Sequence, residues 1–333
     1  MPDTIQERVL EGPLTPDDLA AGRPIVFRGL VRDWPAVAAA RRGDEAISSY
    51  LTRLDRGAEA EVFVAPPEVR GAFFYADDLK GVNFTRRRSS VARLLEDLQR
   101  AAAHSEPSAL YMGAAPMAVS LPDFTHENPA PMSREDAVPR LWLGNAVTVQ
   151  THYDLSDNVA CVVAGTRTFT LFPPEQTANL YVGPLEFTLA GQPVSMVRFE
   201  APDPIRFPRF AEAKKAMTRV TLQPGDAIYI PPLWWHHVRS HDSLNVLVNY
   251  WWRSAAPEAG SPFESLVHAL LAIRDLPPAQ KAAWRSIFDH YVFEADPADL
   301  SHLPPNARGI LGDLTPTTAA MMRNFIIGSM AKR

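Results

Sequence analysis

The sequence predicts a mainly β protein with helices, built on an antiparallel double-sheet barrel with α/β decoration before it and a helical segment after it. Three observations predict it. From about residue 141 to about residue 210, strand-like runs alternate with turns and no helix intervenes, a pattern of hairpins rather than of βαβ crossovers. The 31 prolines among 333 residues are about twice the usual share and mark loops and strand ends. Beyond residue 254 the character changes to apolar stripes at the spacing of an amphipathic helix.

Length and composition bound the organisation. Hydrophobic residues at 46% and charged residues at 21% are ordinary for a globular chain with a sizeable core. We expect residues 1–108 to supply strands and helices packed on the barrel, 109–254 the barrel itself, and 255–333 the helices. The formal charge of -5 gives no overall attraction to nucleic acid or to an anionic membrane, and no uncharged apolar run is long enough to span one. No basic stretch followed by an apolar one opens the chain, so no leader is expected. The single cysteine, Cys161, excludes an intrachain disulfide, lies in an apolar run that reads as core, and fits a cytoplasmic location. Phosphate-binding glycine loops, HExxH and G-x-S-x-G are absent from the sequence.

In chain order, LTPDDLAAG reads as a short helix with Thr15 as cap and Pro16 at its first position, stopped by Gly22. PIVFRGL reads as a strand, Asp33-Trp34-Pro35 as a turn into a helix, and residues 47–54 as helical. AEVFVAP and GAFFYA read as the two strands of a hairpin, and Arg86-Arg87-Arg88 as a solvated turn or helix start rather than a binding patch. In SSVARLLEDLQRAAA, Val91, Leu94, Leu95 and Leu98 fall on one helical face behind a serine cap. A strand at Ala109-Leu110-Tyr111-Met112 opens the barrel, and residues 115–140 read as a long loop. The insert at 181–215 either packs against the barrel or shapes a mouth. Three helices, in PFESLVHALLAIRDL, PAQKAAWRSIFDHYVF and LTPTTAAMMRNFIIGSM, close the chain.

Residues 145–174, NAVTVQTHYDLSDNVACVVAGTRTFTLFPP, carry the chemistry. Side chains alternate across a strand, so His152 and Asp154 share a face and form two thirds of a metal site. A second stretch, QPGDAIYIPPLWWHHVRS, ends a short apolar strand at Pro-Pro and brings His236 and His237 after Trp234-Trp235. Neighbours on an extended segment face opposite ways, and spacing does not choose between them; His241 is a further rival, in a turn. Two histidines and a carboxylate on one side of an octahedral Fe(II) leave the opposite positions open, as in non-haem iron oxygenases. Arg167 places a charge on an otherwise apolar strand, where it demands a partner.

HYD, AGTRTFTLFPPEQ, PGDAIYIPPLWWHHV and NVLVNYWW, in this order, resemble the JmjC-type cupins that use Fe(II) and 2-oxoglutarate, whose fold is a double-stranded β-helix (jelly-roll) barrel. The subgroup most resembled is that of the asparaginyl hydroxylase that inhibits hypoxia-inducible factor. The likeness spans residues 110–253, and RPIVFRGLVRDWPAV is similar to the family's opening segment. It implies His236 as third ligand beside His152 and Asp154, with His237 supporting or in the core. It also implies Arg167, Tyr111, Asn158 and Asn249 as co-substrate contacts. Two positions depart from the resembling hydroxylase. Arg167 stands where it has lysine, which preserves 2-oxoglutarate binding, shifts its pose or signals another acid. Val149 stands where it has a co-substrate-binding threonine, and neither Thr148 nor Thr151 replaces that hydroxyl. Trp234, Trp235, Trp251 and Trp252 read as core and barrel rim.

The resemblance implies an oxygenase taking Fe(II), 2-oxoglutarate and dioxygen and hydroxylating a peptide or protein side chain. A small-molecule hydroxylase, or a cupin that binds metal and acid as a sensor without turnover, are the alternatives. The C-terminal helices either pack on the barrel or form a homodimer interface, as in the resembling hydroxylases.

Overall fold

Two sheets whose inner faces meet in one apolar cluster form the barrel. The computed structural model describes residues 5–331. It begins with β1 (Gln6–Arg8), α1 (Pro16–Leu19), β2 (Ile25–Phe27), α2 (Pro35–Ala40), α3 (Asp44–Leu54), β3 (Ala60–Ala65), β4 (Thr85–Ser89) and α4 (Val91–Ala102). Next come β5 (Ala109–Pro116), α5 (Met117–Ser120), α6 (Phe124–Glu127), β6 (Val138–Gly144), β7 (Thr148–His152), β8 (Asp157–Ala164) and β9 (Arg167–Phe172). After the insert follow α7 (Phe210–Lys215), β10 (Thr218–Leu222), β11 (Ala227–Ile230), β12 (Trp235–Ser240) and β13 (Asn245–Trp252).

The smaller sheet runs β10-β9-β12-β7 and the larger β1-β2-β11-β8-β13-β6-β5-β3-β4, so strands from before and after residue 109 share one sheet. All these pairings are antiparallel except β1 with β2. This is the jelly roll that the sequence predicts. Strand alternation explains why β8 reads as an unbroken apolar run. Ala160 and Val162 face Phe169, Leu171 and Leu247 inside the barrel, while Val159, Cys161 and Val163 face the helix layer. Both faces are dry.

The helix layer follows from local rules. Ser90 accepts the Arg93 N–H at the start of α4, and Val91, Leu94, Leu95 and Leu98 are buried from one face. Each such burial contributes roughly 1.5–3 kcal/mol, more than the helix could gain from propensity alone. At α1 the Asp18 carboxylate accepts from the Thr15 N–H and hydroxyl, closing the first turn. The β8–β9 turn needs Gly165, with φ +70°, because a Cβ there would meet Asn245 Oδ1 at 2.3 Å and the Leu244 carbonyl at 2.7 Å.

Three expectations fail. GAFFYA is not the partner of β3; its aromatic rings form a loop cluster with Phe63 and Phe84, and the partner strand is β4. Arg86-Arg87-Arg88 is therefore neither turn nor helix start but the edge strand of the larger sheet. Edge strands tolerate charge because one side is open to water, and charge discourages pairing with other chains. Residues 115–140 are not a plain loop, since α5 and α6 fold there around buried Met117, Leu121 and Phe124.

The chain divides into two compact units, one ending at Arg253 and one beginning at Ser254. The second contains α8 (Pro262–Ala272), α9 (Pro278–Phe288) and α10 (Pro316–Met330), each with proline in its first turn. No described helix in either unit is long and apolar enough to cross a membrane.

Candidate metal centre and acid pocket

His152 ends β7 and His236 stands directly opposite it on β12, with ring centroids 4.2 Å apart. Each ring points its Nδ1 at the carbonyl two residues back, His152 at Gln150 (2.8 Å) and His236 at Trp234 (2.9 Å). Those bonds assign the proton to Nδ1 and leave each Nε2 lone pair free, the orientation of metal-bound imidazoles. Asp154 lies just past the strand end, its carbonyl accepting the Leu233 N–H at 2.9 Å. Leu233 holds a left-handed φ of +65° immediately before the Trp pair, a strained conformation of the kind found around sites. Ligand atoms of His152, Asp154 and His236 all lie within 4.8 Å of one another.

Electrostatics makes this cluster a poor proton store and a good cation site. Burial holds the His236 imidazole well below its ordinary value, and His152 adds to the effect. Burial pushes the Asp154 carboxyl up, partly opposed by His152. Two imidazole Nε2 atoms converging on a carboxyl group form a ligand set suited to a divalent cation.

The cavity at the cluster is walled by Phe169, Ile230, Val238, Leu247 and Val149, with Tyr111 and Arg167 among its polar lining. Arg167 opens β9, at the end of the barrel away from His152. It is 2% exposed, and neither its Nε nor Nη2 has a hydrogen-bond partner among the described residues. Burial pulls its pKa down, and the Tyr111 hydroxyl beside it pulls the other way. Burial likewise pushes Tyr111 up to about 12, against the guanidinium's charge. A guanidinium stays protonated in any protein, so this is a buried charge with no acid paired to it among the described residues.

Asn158 and Asn249 also line the cavity and are bonded to each other, Asn249 Nδ2 donating to Asn158 Oδ1 at 3.0 Å. Trp142 Nε1 donates to Asn249 Oδ1 at 2.7 Å and fixes both amides. Trp142 escaped the sequence reading, though its signal was there: an aromatic between Leu141 and Leu143, which face the helix layer, must face inward. Trp251, read from sequence as core or rim, lines the cavity too. Asn245 shares Asn249's strand face but lies at the far end, its Nδ2 donating to the Asp242 carbonyl at 2.6 Å.

The rivals to His236 point elsewhere. His237 faces out of the barrel against Phe199, with Nε2 3.0 Å from Glu200 Oε1 but off the line of a good hydrogen bond. His241 Nε2 is 2.7 Å from Thr168 Oγ1, remote from the cluster. Val149 presents only methyl groups to the cavity, and neither Thr148 nor Thr151 lines it. The insert meets the site through its backbone: Val194 bridges His152, and the Ser195 N–H donates to the Thr151 carbonyl at 2.8 Å.

The profile of the cupin-like domain family matches residues 16–257. Among curated proteins, the human bifunctional peptidase and (3S)-lysyl hydroxylase JMJD7 is 28% identical over 282 residues, covering 73% of this chain and 83% of its own. Lysine-specific demethylase JMJ31 of Arabidopsis thaliana is 38% identical over 114 residues, 34% of this chain and 20% of that protein. Jumonji C domain-containing protein 5 of Drosophila melanogaster is 37% identical over 139 residues, 40% of this chain and 32% of that protein. The chain therefore spans only a fifth and a third of the last two.

Proposed function

The chain belongs to the cupin-like domain family, and on that premise we propose that it is an Fe(II)- and 2-oxoglutarate-dependent oxygenase that hydroxylates a protein or peptide side chain. The observation that carries the reading is Arg167: a buried guanidinium beside the Tyr111 hydroxyl, with Nε and Nη2 lacking an acceptor among the described residues, in the cavity that holds a two-histidine, one-carboxylate cluster. A metal-only site has no use for that cation. A diacid reaching from metal to guanidinium does.

His152, Asp154 and His236 would hold the metal on one side and leave the cavity side open. Bound there, Fe(II) supplies the oxidation, in which dioxygen converts 2-oxoglutarate to succinate and carbon dioxide while one oxygen atom enters a substrate C–H bond. The remaining work belongs to the chain. Gln150 and Trp234 carbonyls hold the two imidazoles in the coordinating tautomer. Arg167 and Tyr111 would bind the distal carboxylate, arginine by a two-pronged contact that the lysine of the resembling hydroxylase cannot make. The Trp142–Asn249–Asn158 relay holds both amides fixed, where they would contact the acid's other end, and the apolar wall would exclude water.

The motif resemblance to an asparaginyl hydroxylase and the likeness to a protein named as a lysyl hydroxylase agree on a protein side chain, and that class is what we propose. The test is succinate release with Fe(II), ascorbate and 2-oxoglutarate over a peptide and metabolite screen. Turnover with peptides supports the reading, and turnover confined to metabolites makes the chain a small-molecule hydroxylase. Tight metal and acid binding without succinate makes it a sensor, a reading that Val149 favours by removing one anchoring hydroxyl.

We further infer a homodimer through the C-terminal helices. Among the described residues of that unit only Ala319 is buried, while Phe293 and Phe325 are 74% and 75% exposed. Helices so short of a core of their own gain most from a second copy's helices. Sedimentation equilibrium should give a dimer, and Phe325→Glu a monomer. A monomeric unaltered chain would end this inference. The cytoplasm stays the proposed location, on the lone buried Cys161.

A further inference from the structure

A second cation lacks a partner, at the other end of the same barrel. Arg140 on β6 stands opposite Asn249 on β13 and Pro116 on β5. Residues directly opposite in an antiparallel pair project from the same face. Asn249 lines the cavity, as does Trp142 two residues along from Arg140, whereas Leu141 between them packs into the helix-side core. Arg140 therefore projects from the inner face of the sheet, near the start of β6. The end of β7 with His152, the start of β8 with Asn158, the start of β12 with His236 and the end of β13 with Trp251 mark the same end of the barrel. Arg167 begins β9 at the opposite end.

Two hydrogen-bond donors at this rim are buried without an acceptor, Arg140 Nε and Trp251 Nε1. No acid is paired with the half-buried Arg140 among the described residues. A buried donor left unpaired destabilises the fold, and a guanidinium on that face also lacks a counter-charge. The co-substrate does not meet this need: one of its acid ends belongs to Arg167 and the other faces the metal ligands. A different anion, arriving from the open end, does.

We propose that Arg140, with Trp251 beside it, is a specificity-determining contact that takes a carboxylate of the substrate, an acidic side chain of a peptide or the carboxylate of a free amino acid. The inference rests on the oxygenase reading above, because that reading assigns Arg167 to the co-substrate. The guanidinium offers the charge-assisted bond, and the indole N–H a second donor to the same group. The anchored carboxylate fixes how far into the barrel the substrate's C–H reaches.

The test uses the full chain loaded with Fe(II) and 2-oxoglutarate under nitrogen, so that binding is read without turnover. The probes are two random peptide pools, identical except that one carries Asp and Glu where the other carries Asn and Gln, with free glutamate and glutamine as the small pair. The unaltered protein should retain the acidic member of a pair about tenfold or more over the amide, the size of one charge-assisted hydrogen bond. Peptides alone or the amino acid alone showing that ratio identifies the source. Arg140→Gln should bring the ratio near one, Arg140→Lys should keep part of it, and Trp251→Phe should lower it severalfold, with each variant's folding checked by its melting curve. Equal retention of acid and amide by the unaltered protein, or a preference that survives Arg140→Gln, overturns the proposal. Loss of 2-oxoglutarate binding by the unaltered protein would be a different failure, removing the oxygenase reading and this inference with it.

Discussion

The edge strand β4 and the inner wall at Arg167 treat the same residue type in opposite ways. β4 carries three consecutive arginines, and each has its partner: Arg86 the Leu189 carbonyl and the Phe63 ring, Arg87 Asp97, Arg88 Glu59. They are part-exposed, so solvent carries most of their charge. Arg167 is one cation, almost wholly buried, with two nitrogens, Nε and Nη2, that lack an acceptor among the described residues. The difference teaches that function shows in charge left unsatisfied where water cannot reach it, and not in the amount of charge. A run of arginines catches the eye in a sequence. The solitary one is the residue we propose as the anion's contact.

Perturbing both regions should sharpen or break that contrast. The largest effect is expected at the metal cluster: His236→Ala should abolish iron retention after gel filtration, while the outward-facing His237→Ala keeps it, and the reverse would place the third ligand elsewhere. Next, Arg167→Ala should weaken 2-oxoglutarate binding by about 2–5 kcal/mol, because it strands a buried carboxylate. Arg167→Lys should stay within about 1–2 kcal/mol of the original, and titration calorimetry of both variants checks the pair. Unchanged affinity in Arg167→Ala would erase the contrast.

On the edge strand the effects shrink. Burial pushes the Asp97 carboxyl up, but the hydrogen bonds and charges of Arg87 and Arg100 outweigh it and leave it below the usual carboxylate range. A carboxyl depressed on folding stabilises above its unfolded pKa, and that contribution fades as pH falls through the folded value. Asp97→Asn should therefore cost about 0.2–1 kcal/mol at neutral pH and nothing in strong acid, which melting curves across that range would reveal. Smallest of all, Arg86→Gln should change stability by no more than about 0.5 kcal/mol.

How much was legible follows the same physics. His152, Asp154 and the inward turn of Arg167 could be read because strand alternation is local. His236 could not be separated from His237 by spacing; the motif resemblance selected it, and the register of β12 against β7, bulged between His236 and Val238, displays physically that its ring faces in. β4 was illegible for a related reason. An edge strand can carry charge along its length, so the alternation that reveals other strands is missing, while GAFFYA carries the aromatic content of a strand and spends it on a loop cluster. Trp142 went unread and Trp251 was read only as core or rim, because a place in the cavity wall depends on which strand lies next to them.

The glycine in the β8–β9 turn has a consequence beyond its own backbone. Arg167 follows it by two residues, and the atoms of Asn245 and Leu244 that crowd Gly165 act as a stop against which the hairpin rests. One jaw of a caliper is thus fixed at the guanidinium and the other at the paired imidazoles. On the proposed oxygenase reading, a diacid one methylene too short or too long would touch only one jaw, and the steric limit at one glycine would set the length of molecule that the barrel accepts.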